Sequence, residues 1–245
     1  LQVSVLNDKG VESLKETVEI TCEAEKVKPN LYILAIGTSD YNDTKYKLTY
    51  AAKDANDLTE LFKDKQGEYG EVKVMKLLDK EVTKENILKA KEFLMQTKVD
   101  DEVIVFVAGH GLLNKDYDYY YATCDIDFRN PEARGITFDE IESLLDGIPA
   151  LKKILFMDTC HSGEVDKEDI VAVEKQKEEK GEVTFRDAGD IEYREKEGTR
   201  LGLKNTNQLL QELFVDLRRG SGAMVISSAG GMEFAWEGGE FRNGL

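Results

Sequence analysis

The sequence predicts an α/β fold: a mostly parallel central sheet with helices on both faces. Three observations carry it. Short apolar runs rich in Val, Ile and Leu recur at 31–36, 72–78, 103–107, 153–157 and 223–228. Each has the length of a buried strand rather than of a helix. Helical patterns lie between several of these runs, and strands alternating with helices imply parallel strands covered on both sides. Finally, two runs stop abruptly in glycine and polar residues, at Ala108-Gly109-His110-Gly111 and at Phe156-Met157-Asp158-Thr159-Cys160-His161-Ser162-Gly163. In open parallel sheets ligands sit outside the carboxyl ends of the strands.

In chain order, residues 1–28 stand apart. Leu1 to Val5 and Thr17 to Thr21 alternate apolar and polar residues around the turn material Asn7-Asp8-Lys9-Gly10. This reads as a β-hairpin or strand extension, the end of an upstream region, with Glu23 to Pro29 as a charged linker. Because the chain begins with Leu1 rather than Met, the expectation is a fragment of something larger. Residues 29–245 form the main domain. Leu31 to Ile36 is its first strand, ending at Gly37, and Tyr50 to Lys65 a helix that aligns Ala51, Ala55, Leu58 and Leu61/Phe62. Val72 to Leu78 is the second strand, and Thr83 caps a helix running to about Lys98. Val103 to Val107 is the third strand and delivers His110; Tyr117 to Thr123 is a strand or hairpin arm. The capping-box pattern Thr137-x-x-Glu140 opens a helix to Leu145, and Lys153 to Met157 is the strand that delivers Cys160. A helix over Asn205 to Leu217 and a strand over Ala223 to Ser228 follow.

The stretch Glu164 to Arg200 breaks the pattern, being dense in charge and poor in large apolar residues. It cannot bury enough surface to offset its ordering entropy, so it reads as a mobile loop or marginal helix. It divides the domain into a large portion (about 29–163) and a small one (about 201–245).

Composition excludes several functions. The 245 residues carry a formal net charge of -16 and no basic cluster, which argues against nucleic-acid binding. No apolar stretch is long enough to span a membrane. The three cysteines, widely spaced, offer no disulfide framework and point to a reducing, cytoplasmic setting. Walker A, GxGxxG and HExxH motifs are absent. Cys22 reads as a strand residue and Cys124 as a packed one, and no standard zinc spacing joins Cys124, Cys160, His110 and His161. The sequon Asn42-Asp43-Thr44 carries little meaning without secretion.

The two strand-end motifs pair a thiol with an imidazole. A thiol is only a few per cent thiolate at neutral pH, and a nearby imidazole raises that fraction and shuttles the proton. His110 and His161 are the two histidines of the chain. His161 is adjacent to Cys160, so a base for Cys160 from another strand is His110. Gly109, Gly111 and Gly163 allow tight turns, and the amides of Gly111 and Cys160 are candidate donors to an oxyanion.

Motifs and order resemble the caspase-like cysteine peptidases, and within them the metacaspases. The His stands about 50 residues before the Cys, as in the caspase signature, but Asp158-Thr159-Cys160-His161-Ser162-Gly163 resembles the metacaspase form rather than Gln-Ala-Cys-Arg-Gly. The likeness covers roughly Asn30 to Leu245. It implies a caspase-like fold and an endopeptidase with a His110–Cys160 dyad and no cofactor in the chemistry. Caspases cut after Asp through arginines; metacaspases cut after Arg or Lys through carboxylates. No arginine precedes Arg129, whereas Ala51-Ala52-Lys53-Asp54-Ala55 resembles the metacaspase segment that puts an Asp in the pocket. Asp158 is the second match, and Ser227 and Ser228 resemble a substrate-groove wall; Trp236 reads as a groove aromatic or as a core residue. Two carboxylates favour a guanidinium or ammonium. The resemblance further implies calcium as an activator, with Asp139, Glu140 and Asp166 roughly placed for it and Asp125 and Asp127 in a nearby loop. It implies peptide or protein substrates, regulation through the charged linker, itself open to self-cleavage, or by a partner or another domain of the same chain. It also implies a monomer more than a dimer, and a final helix beyond Leu245. Two alternatives stand beside this reading: an idle caspase-like signalling or scaffold module, and an Asp-specific caspase-type peptidase. A clostripain- or gingipain-like enzyme shares the dyad but usually lacks His161-Ser162-Gly163.

Overall fold

A computed structural model describes residues 2–21, 27–63, 67–114, 118–162, 183–185, 222–228, 236–238 and 243–244. The N-terminal region pairs Gln2–Val3 (β1) antiparallel with Glu16–Thr17 (β2), close to the hairpin expected. Its large apolar residues Val5, Leu6, Leu14 and Ile20 are all exposed.

The main sheet is built on Leu31–Gly37 (β3), whose seven residues are all buried. Val72–Leu78 (β4) flanks it on one side. Glu102–Leu113 (β5), Lys152–Ser162 (β8) and Met224–Ser227 (β10) continue it on the other, giving the order β10-β8-β5-β3-β4 with every pair parallel. Tyr119–Tyr121 (β6) joins β5 antiparallel, and Ile136–Thr137 (β7) joins β6, so the whole sheet is mixed.

Period-two alternation assigns the faces. Tyr32, Leu34, Ile36, Val103, Val105, Val107, Leu155 and Met157 pack with Ile87, Leu94, Ile141 and Leu144. These last four come from Lys84–Lys89 (α2), Lys91–Leu94 (α3) and Phe138–Leu145 (α4). On the opposite face Ala35, Phe106 and Ala108 meet Ala51 and Ala55 of Ala51–Lys63 (α1). Helices thus cover both faces, as expected. Leu58 and Phe62 of α1 also pack inward, but Leu61 is exposed, which corrects its place on the buried stripe.

Gly37 sets how closely β3 approaches α1. A Cβ there would lie 2.6 Å from the Ala51 carbonyl oxygen and 2.8 Å from the Ala55 Cβ. Gly37→Ala is expected to cost about 1–3 kcal/mol, the usual range for overpacking a fitted core, read as a lower denaturation midpoint.

The helix expected over 83–98 is broken and ends early. Thr83 caps it through Asn86 N–H, but the α-helix is interrupted at Ala90, and the Thr97 hydroxyl donates to the Leu94 carbonyl at 2.8 Å beyond its end. A Thr hydroxyl that bonds a backbone carbonyl competes with continuation of the helix. The capping box at α4 is present: Thr137 Oγ1 accepts from Glu140 N–H, and Glu140 Oε2 accepts from Thr137 N–H. Burial pushes the Glu140 carboxyl up, but its bonds to Lys84 at 2.8 Å and to the Thr137 amide outweigh that and leave it below its ordinary value. A carboxyl lowered in the folded state stabilises above the unfolded pKa and loses that contribution as pH falls through the folded one. Stability measured from pH 6 downward should therefore fall less steeply in Glu140→Gln than in the parent chain.

Within the linker expected to be structureless, Val183–Phe185 (β9) pairs antiparallel with Trp236–Gly238 (β11), which pairs with Asn243–Gly244 (β12). This small sheet corrects the expectation for those three residues. Cys22, Asp166 and the helix expected over 205–217 lie outside the described residues.

Candidate active site

Both motif strands run past the points where sequence ends them. β3 stops at Gly37, opposite Ala108, and beyond that point β6 takes its place beside β5. The Ala122 amide bonds the His110 carbonyl, and the His110 amide bonds the Tyr41 hydroxyl at 3.0 Å. In a strand a residue's N–H and C=O point the same way, so those of Gly111 face β8. On that side β5 and β8 stay paired through the motifs: Ala108 opposite Asp158, His110 opposite Cys160, Gly111 opposite His161. One interstrand spacing, about 4.8 Å, thus separates the backbones of the two residues that sequence reasoning brought together.

Gly109 makes the change of neighbour possible. Its φ of +150° suits glycine, and a Cβ would press on Tyr41 and Tyr121 at 3.0–3.2 Å. Tyr121 in turn donates to the Ala108 carbonyl and meets the Thr38 hydroxyl, while the buried Thr159 hydroxyl bonds Tyr119. Both motif strands are therefore tied to β6.

His110 is 1% exposed. Its Nε2 lies 2.9 Å from the Tyr46 carbonyl oxygen. A carbonyl can only accept, so Nε2 carries a proton, and in the neutral ring Nδ1 is the nitrogen that exchanges one. Rings of Tyr41 (5.2 Å), Phe128 (5.8 Å) and Tyr46 (6.4 Å between centroids) surround the imidazole. Sequence reasoning pointed neither to the Tyr46 carbonyl nor to the three aromatics. Tyr41 and Tyr46 follow the first strand closely, but nothing in the sequence ties Phe128 to them.

A cavity of about 510 Å³ opens on the α1 face of the sheet. Asp54, Asp158, Ser227 and Ser228, four residues proposed from sequence, all line it, with Phe106, Phe156, Leu58 and Ile226 as apolar wall. Asp54 is half-buried on the first turn of α1, not fully exposed as a surface helix residue would be. Asp158 is 8% exposed and accepts a hydrogen bond from Ser228 Oγ at 2.7 Å. The Ser228 amide bonds the Met157 carbonyl and so fixes that hydroxyl beside Asp158. Asp57, not foreseen, also lines the cavity and pairs with Lys53. Trp236 opens β11.

A model of the caspase domain matches residues 31–239. The chain belongs to the caspase-domain family. That makes it a member of a family of cysteine peptidases, and the fold agrees: a central mixed sheet with α1 on one face and α2 to α4 on the other. The crystal structure of GSU0716 from Geobacter sulfurreducens resembles it with a TM-score of 0.55 and 18% identity, over 89% of this chain and 78% of that one. At that identity the likeness concerns the fold. No protein of curated function matches the sequence.

As for a metal, no group of three or more His, Cys, Asp or Glu gathers to hold one among the described residues. Glu140 already has its oxygens on Thr137 and Lys84, and Asp125 accepts from Arg134 and Thr123. Neither is poised as a calcium ligand. Cys124 is buried, with its thiol pushed up by that burial and by Asp125, as suits a packed cysteine. Among the described residues no helix is long and apolar enough to cross a membrane.

Proposed function

We propose that this chain is a cysteine endopeptidase that cuts after Arg or Lys. The observation that carries the reading is the cavity shared by Asp54 and Asp158, the latter two residues before Cys160 on β8, with His110 opposite Cys160 on β5. His110 Nδ1 accepts the thiol proton, and the Cys160 sulfur attacks the scissile carbonyl carbon. The amides of Gly111 and Cys160, which lie in the paired stretch of β5 and β8 and must turn out of that ladder to reach it, stabilise the oxyanion, a contribution of about 3 kcal/mol per donor where such donors have been removed. The imidazolium then protonates the leaving amine as the C–N bond breaks. A water that gives its proton to the same nitrogen hydrolyses the acyl-enzyme and frees Cys160.

The pocket supports the choice of substrate. A guanidinium or ammonium in a partly dry cavity needs carboxylate partners, and an Asp side chain would meet like charge there. Ser228 holds one oxygen of Asp158 at 2.7 Å and so fixes the carboxylate at the cavity wall. Ser227, the last residue of β10, and Ser228, just after it, line the cavity and suit contacts to substrate backbone.

Matched fluorogenic peptides ending in Arg, Lys or Asp, with and without calcium, test the reading. Turnover is expected after Arg and Lys only. Turnover after Asp overturns the pocket assignment, and the failure of a thiol-reactive peptide inhibitor to label Cys160 overturns the peptidase in favour of an idle scaffold. Mass spectrometry of the incubated chain reports whether the 164–200 linker is cut, as the regulatory reading requires; an intact chain that remains highly active opposes it.

A further inference from the structure

We propose that the rings of Tyr46 and Phe128 act together as a positioning device for His110. This rests on the reading of His110 as the acid/base. The carbonyl that holds its Nε2–H closes a three-residue 3-10 turn, Thr44–Tyr46, none of whose residues is buried. Residues 42–45 are exposed, and Tyr46, half-buried, is the member of the turn that reaches inward. Backbone bonds from Asn42 to Cys124 and from Leu48 to Ser39 hold the ends of the segment. Within it the Tyr46 amide bonds the Asp43 carbonyl at 3.2 Å and the Lys47 amide bonds the Thr44 carbonyl at 3.4 Å, so the turn is closed largely upon itself.

The Tyr46 ring anchors that turn to the buried side of the site. It stacks on Phe128 with centroids 3.6 Å apart and planes 21° from parallel. Phe128 is only 4% exposed and presents its ring edge-on to the imidazole at 5.8 Å. One aromatic side chain therefore touches both halves of the hydrogen bond: the residue that accepts it and the ring that donates it. With the stack in place, the carbonyl stays on Nε2–H and Nδ1 keeps the free electron pair. With the stack gone, the exposed turn can move while the carbonyl still exists, because it belongs to the backbone. The contribution is one of placement, and a misplacement of about 1 Å can cost about 100-fold in rate.

The test separates placement from folding and from peptidase activity. Phe128→Ala empties a buried site and lowers stability, so Tyr46→Leu, which removes a half-buried ring and keeps the carbonyl, is made beside it; Tyr46→Phe keeps both. The tautomer of His110 is read from its imidazole 15N shifts in the full chain, with His161→Gln assigning the two histidines. We expect one Nε2–H form in the parent and in Tyr46→Phe, and mixed tautomers in Tyr46→Leu and Phe128→Ala. In those two variants kcat should fall about 10- to 100-fold with KM within about twofold. A single Nε2–H tautomer in all variants, with kcat falling only as the folded fraction falls, overturns the proposal. A parent chain that cleaves no peptide yet shows the tautomer change sustains the positioning and removes the peptidase reading alone.

Discussion

Cys160→Ala is expected to abolish cleavage of basic peptides, and His110→Ala to lower kcat/KM by about 10³-fold with the fold intact. The two losses differ because the residues do different work. Without the sulfur no acyl-enzyme forms and the route is closed. Without the imidazole a small thiolate fraction remains at neutral pH and water must supply the proton to the leaving amine; positioned acid–base catalysis contributes roughly 10²–10⁴-fold. Raising the pH should then recover part of the His110→Ala rate, since hydroxide does for the thiol what the imidazole did, and nothing of Cys160→Ala. The double variant should be no slower than Cys160→Ala, because groups that act as a unit are not additive. The check is single-substrate kinetics across pH, with thermal unfolding beside it. His110 is almost fully enclosed by three aromatic rings, so His110→Gln, closer in volume, serves as the second variant. A His110→Gln chain that cleaves at the parental rate would remove His110 from the chemistry.

The parts of this chain legible in sequence are those whose local pattern and tertiary role agree. β3 and β4 read directly because runs of seven apolar-rich residues between turn signals leave few alternatives. The capping box at Thr137 reads directly because it is a local device, complete within four residues. The pairing of His110 with Cys160 came from residue types and motif order, and the register of β5 on β8 gives it geometry. Other features depend on partners far away in the chain. The extension of β5 through Leu113 follows from β6 arriving beside it, which the sequence of β5 does not contain. The interruption at Ala90 falls in a segment of good helix formers, so propensity did not mark it. The acceptor of Nε2–H is a backbone carbonyl, and a carbonyl leaves no mark on residue identity; only the ring of Tyr46 and its partner Phe128 could have signalled it, from 82 residues away (128 − 46). Likewise β9 pairs with β11 across a charged stretch, where composition weighs against any strand.

Asp54→Ala should lower kcat/KM for Arg and Lys peptides by about 10- to 100-fold, mostly through KM, while leaving a neutral norleucine peptide within about twofold. The magnitude follows from removing one charge-assisted hydrogen bond, worth about 1.5–3 kcal/mol. It appears in KM because the pocket cation keeps its charge throughout the reaction, so ground and transition states lose the contact alike. Folding should change little: Asp54 is half-buried on an exposed-edged helix turn, and Ala is the better helix former. Asp158→Asn is the harsher change. Its side chain is buried and accepts from Ser228, and it lies two residues from Cys160 on the same strand, so its loss should reach kcat as well. The two together should exceed either alone without reversing preference, since apolar walls and the serines contribute no positive charge to recruit Asp. Raising the salt separates charge from shape: parental KM for Arg peptides should rise with ionic strength more than that of Asp54→Ala. An Asp54→Ala chain that loses norleucine and arginine cleavage equally, or unfolds in parallel with its activity, would show that Asp54 supports the helix rather than reads the substrate.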